Sequence, residues 1–188
     1  MTHQASSAKL RRLSAALDEA ENSALSAMNS SDSKPIPSLL VMYKPRFERP
    51  SNAHLLYNPA HIEESVEKEL TLGLIEAAAQ TARQDAQPAY IVSMVTIGRR
   101  KLGEWIAQGF FPGSEVPPEF EGQSVILFSA SNPAGQVIRR LRQLISPSDT
   151  ESDGSYQLGQ SVQVELGDAP SELAVFWSTY RERVQYRP

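Results

Sequence analysis

Apolar positions along this chain change period several times, and each change marks a predicted element. Leu10, Leu13, Leu17, Ala20, Ala24 and Met28 recur three and four residues apart, which predicts a helix over 8–28 with a narrow, alanine-rich stripe. A Ser/Pro-rich connector at 30–37 sets that helix apart as a peripheral element. Ser38 to Tyr43 is a short apolar run closed by Lys44-Pro45, the pattern of a buried strand. Residues 44–58 read as an irregular loop. Asn58-Pro59 then offers a cap followed by a proline suited to the first helical position. The helix predicted from there runs to about 85, with Ile62, Val66, Leu70 and Leu74 on one face.

Tyr90 to Ile97 is β-branched and apolar on both faces, as expected of a central strand. A helix over 99–108 follows Gly98 at once and stops at Gly109 and Pro112-Gly113. A third strand is predicted over 124–130. Ser131-Asn132-Pro133 repeats the cap-and-proline signature, which predicts a helix to about 145. Residues 146–155 are rich in Ser, Asp and Pro and read as a flexible loop. Val162, Val164 and Leu166 alternate with polar residues, as in an edge strand, and Asp168 caps a last helix carrying Leu173, Phe176, Trp177, Tyr180 and Val184.

Strands alternating with helices predict crossover units. The expected fold is α/β: a three-layer sandwich with a mainly parallel sheet of about four strands, helices on both faces and a peripheral N-terminal helix. Residues 1–34 form the helical extension, and 35–188 a single α/β domain with a flexible loop near 146–155.

Composition narrows the chemistry. A net charge of −4 argues against coating nucleic acid with the whole surface, though not against a local basic patch. Cysteine is absent, which excludes disulfides, thiolate catalysis and every Cys-ligated metal site. That composition fits a cytoplasmic location. The polar start lacks the apolar core of a signal peptide, and no apolar run approaches the roughly 20 residues of a membrane span.

A parallel sheet gathers the carboxyl ends of its strands on one edge, where ligands of such folds bind. The residues expected there are Lys44, Arg46 and Arg49 after the first strand, and Arg99, Arg100 and Lys101 after the second. Ser131 and Asn132 follow the third strand, and Arg139 lies on the helix beyond them. Three cations in the first turn of a helix oppose its macrodipole, and an anion or nucleic acid would relieve that conflict. The competing reading pairs the cations with Glu104 or with the acidic loop holding Glu115, Glu119 and Glu121. No phosphate-loop or dinucleotide glycine fingerprint is present. Trp105, Phe110 and Phe111 cluster about the Gly109 turn, either as the edge of the core or as a contact for a protein partner.

Catalytic candidates are few. The histidines are His3, His54 and His61; Glu64 lies one helical turn from His61, but as a metal pair His54 and His61 need a third ligand that the sequence does not single out. Ser129 and Ser131 sit in a strand-to-helix position but without the Gly-x-Ser-x-Gly elbow or a downstream histidine. Glu63, Glu64, Glu67 and Glu69 fit a solvated helix face. No catalytic residue, metal or cofactor is assigned. Three classes of function remain, in this order: a non-catalytic adaptor, regulatory or accessory subunit acting through protein–protein contacts; a nucleic-acid-binding accessory protein using the basic edge; and an enzyme on a phosphorylated small molecule. The last lacks a marked general base.

Overall fold

The computed structural model describes residues 2–30, 38–43, 50–57, 73, 75–80, 82, 88, 90–109, 111, 116–145, 156–165 and 172–182. In chain order these form α1 (Thr2–Ser30), β1 (Ser38–Tyr43), β2 (Pro50–Tyr57), a helical segment α2 at 75–80, β3 (Tyr90–Ile97) and α3 (Arg99–Ala107). β4 (Ser124–Ser131), β5 (Val137–Ile145), β6 (Gln157–Gln163) and α4 (Glu172–Glu182) complete the chain. Six strands make one sheet in the order β2-β1-β3-β4-β5-β6, and every pairing is antiparallel. Its described side chains come from the four strands β3–β6.

The expected parallel sheet is therefore incorrect: β3 and β4 pair antiparallel even though α3 lies between them, and at β5 the error has a local cause. Residues 137–145 form a strand, not a helix. Val137, Leu141 and Leu144 also sit at helical spacing, so periodicity alone admits both readings. The turn before them decides. Asn132, Pro133, Ala134 and Gly135 close a β-turn in which the Gly135 amide donates to the Asn132 carbonyl at 3.0 Å. Gly135 has φ +78°, and the Asn132 amide donates to the Gln136 carbonyl at 3.2 Å. Asparagine first, proline second and glycine fourth is the favoured order of a type I turn, and a left-handed glycine after it redirects the chain into a hairpin.

A second departure is β2, which occupies part of the predicted loop at 44–58 and pairs with β1. Without a helix between β4 and β5, and with β2 returning directly along β1, those pairs need no crossover. The predicted start of the helix over 59–85 lies outside the described residues, as do the flexible loop at 146–155 and Leu166, Asp168 and Val184. Within that helix, 75–80 is helical. β3, α3 and α4 form where their patterns place them.

Alternation along the strands gives the sheet two faces. On the first face Val92, Met94, Ile126, Phe128, Ala130 and Leu144 pack against Leu13, Ala16, Leu17, Ala20 and Ala24 of α1. Two leucines and three alanines removed from water contribute roughly 6 kcal/mol at about 0.8 kcal/mol per buried methylene and about 2 per leucine. On the second face lie two separate clusters. Ile75, Ala78, Ala79 and Ala82 join Ile91 and α4's Leu173, Phe176 and Trp177, while α3's Leu102 joins Ile97, Phe111, Phe120, Val125, Leu127 and Leu141. Helices thus cover both faces of an antiparallel sheet. Among the described residues no helix is long and apolar enough to cross a membrane.

Candidate functional site

The antiparallel ladder separates the residues that a parallel sheet would have gathered. Ile97 pairs with Val125 at one end of the sheet and Ile91 with Ser131 at the other. Arg99, Arg100 and Lys101, which follow β3, are therefore about 20 Å along the strands from Ser131 and Asn132, at roughly 3.4 Å per residue. Lys44, Arg46 and Arg49 lie outside the described residues, although Tyr43, the last residue of β1, pairs with Tyr90 at the Ser131 end. No common basic edge follows from this topology.

Each cluster has its own local account. α3 begins at Gly98 with no side-chain cap, and its three cations are exposed. Arg100 Nε lies 3.1 Å from Glu104 Oε1, and Lys101 Nζ lies 4.0 Å from Glu104 Oε2. With the Arg100 side chain 94% exposed, that pairing is water-screened and weak. At the other end, the turn amides expected to meet an anion are already used. Ala134 N and Gln136 N donate to Asn132 Oδ1 at 3.0 and 3.2 Å, while Asn132 Nδ2 donates to Gln136 Oε1 at 2.8 Å. Ser131 Oγ accepts from the Trp177 indole at 2.8 Å, which ties α4 to β4.

Arg139 lies on β5 opposite Ser129, and Ser129 pairs in turn with Ser93. The three form a polar row across the second face, between its two apolar clusters. Ser93 is 1% exposed and its hydroxyl has no hydrogen-bond partner among the described residues; Arg139 is engaged within the fold. A serine in the middle of an apolar central strand is the signal in the sequence that marks this row. Trp105 stacks at a tilt on Phe111, with centroids 6.3 Å apart, and both belong to the α3 cluster. Phe110 lies outside the described residues.

The densest electrostatic site involves residues that the helical reading of β5 scattered. Arg140 Nη1 donates to Asp18 Oδ1 at 2.7 Å and to Glu21 Oε1 at 2.8 Å, and Arg142 Nε lies 3.2 Å from Glu21 Oε2. Burial works against the Arg140 charge, but the hydrogen bonds to Asp18 and Glu21 outweigh it and hold its pKa above the ordinary value. Glu21 is only 8% exposed and lies within ion-pair distance of both arginines. At the far end of α1, Asn29 Nδ2 donates to the Tyr156 carbonyl at 3.1 Å, and Asn29 Oδ1 accepts from the Tyr156 amide at 2.9 Å. These groups position a helix on a sheet.

Around α1 the first face keeps a rim that the helix does not finish covering. Leu25, Tyr90, Ile138, Tyr156 and Leu158 pack against the cluster yet stay partly exposed. Compared with known proteins, this chain matches no family model, no curated protein and no solved structure.

Proposed function

We propose that this chain is a non-catalytic accessory or adaptor protein that works by protein–protein contact, with the rim of the first sheet face as its contact surface. The partly exposed apolar side chains beside α1 carry this reading: Tyr90, Ile138, Tyr156 and Leu158 are held in place by the core and still reach solvent. Apolar and aromatic groups of that kind, fixed on a rigid sheet, are what partner surfaces use as anchors. The absence of cysteine favours a reducing compartment, and the proposal places the protein in the cytoplasm.

The test starts with capture of bound proteins from source extract and their identification by mass. The purified candidate is then titrated against the wild-type chain, an Ile138→Ser/Leu158→Ser variant, and an Arg99→Ser/Arg100→Ser/Lys101→Ser variant. The expected result is at least tenfold weaker binding for the rim variant and unchanged binding for the basic variant. Equal binding by wild type and rim variant overturns the proposal. The same three proteins are titrated with single- and double-stranded oligonucleotides at low salt. Binding lost only in the basic variant would shift the assignment to nucleic acid.

A further inference from the structure

Among the described residues, the first-face cluster draws its helical part from α1 alone, whereas α2, α3 and α4 belong to the two clusters of the second face. Removing α1 would therefore leave those two clusters whole. Between α1 and β1 the sequence is rich in Ser and Pro. Among the described side chains of α1, three of the five buried apolar ones are alanines, which bring little area to a sheet face that offers Phe128, Met94 and Ile126. The deficit is made up by polar clasps: Glu21 and Asp18 on Arg140, Glu21 on Arg142, and Asn29 on the Tyr156 backbone.

From these features we infer that α1 is a releasable strap: it opens as a unit, exposing the apolar first face, while the sheet and the helices on its other face stay folded. Structural units with few apolar contacts open below the global unfolding free energy. Here the closed position depends on clasps that single substitutions can loosen. Opening would enlarge the proposed contact surface from the rim to Val92, Met94, Ile126, Phe128 and Ala130. Its occurrence does not depend on that functional reading.

Native-state hydrogen exchange on the full chain tests it without any partner. In the wild type, α1 amides should exchange at least tenfold faster than the central β3 and β4 amides, with a denaturant dependence that is common to the α1 amides and smaller than that of β3 and β4. Glu21→Gln should speed α1 exchange by a further factor of about ten or more, and Asn29→Ala by a smaller factor. Phe176→Leu, on the opposite face, should speed exchange in β3 and β4 and leave α1 unchanged. Equal protection of α1 and β4 in the wild type, or a parallel shift of both in Phe176→Leu, overturns the strap. An α1 that does not respond to Glu21→Gln overturns the clasp. None of these results bears on whether the rim variant binds a partner, so the two proposals fail separately.

Discussion

Replacing Gly135 by alanine separates the hairpin from the helix by the sign of its effect. In a helix interior, glycine to alanine stabilises by about 0.8–1 kcal/mol. At φ +78° an alanine side chain instead crowds its own carbonyl, at a cost of about 1–2 kcal/mol. No neighbouring atom lies within 4 Å of a Cβ built at Gly135, so the cost is backbone strain alone. For 188 residues, each kcal/mol corresponds to roughly 2–4 °C in Tm, which places the expected drop at about 2–8 °C. Urea denaturation followed by circular dichroism measures the free energy directly. Gly103→Ala provides the internal control, because Gly103 lies within α3 with open space around its Cβ. It should gain about 1 kcal/mol. Gly135→Asn should lose less than Gly135→Ala, since asparagine tolerates the left-handed region. A Gly135→Ala protein as stable as wild type, or more so, would refute the turn and revive a helix at this position.

The remaining predictions concern buried polar groups and one exposed cationic cluster, each read by the same denaturation assay. Glu21→Gln should cost about 2 kcal/mol, below the roughly 3–5 of a fully buried broken pair because Asp18 still compensates Arg140. Glu21→Leu/Arg140→Met/Arg142→Leu should recover most of that loss, and a triple variant no more stable than Glu21→Gln alone would contradict the account. Ser131→Ala should cost about 1–2 kcal/mol by stranding the buried Trp177 indole. Ser93→Ala, which removes a buried hydroxyl without a partner, should be neutral or stabilising by up to about 1 kcal/mol; a loss greater than 1 would show that the hydroxyl is satisfied. The Arg99→Ser/Arg100→Ser/Lys101→Ser variant should stay within about 0.5 kcal/mol of wild type, because its cations are exposed.

Local patterning by itself determined β1, β3, α3, β4, the body of α1 and the last helix, since each carries an unambiguous run or stripe with its own stop signal. The pairing of Arg100 and Lys101 with Glu104 was also legible, because residues three and four apart on a helix are neighbours whatever surrounds them. Residues 137–145 were different: their apolar positions satisfy both periods, and the Asn132-Pro133-Ala134-Gly135 signal serves as helix cap or hairpin turn until a strand partner is present. Tertiary structure made that choice, by giving β5 two neighbours, β4 and β6, along its length. That local state removed one expected crossover, but the edge argument fails at β3 and β4, which pair antiparallel although α3 lies between them, because ligand-edge geometry depends on strand polarity. The clasp of Asp18 and Glu21 with Arg140 and Arg142 spans over a hundred residues of chain. No local pattern could have announced it, because only the alternation of a strand places both arginines on the face that α1 covers.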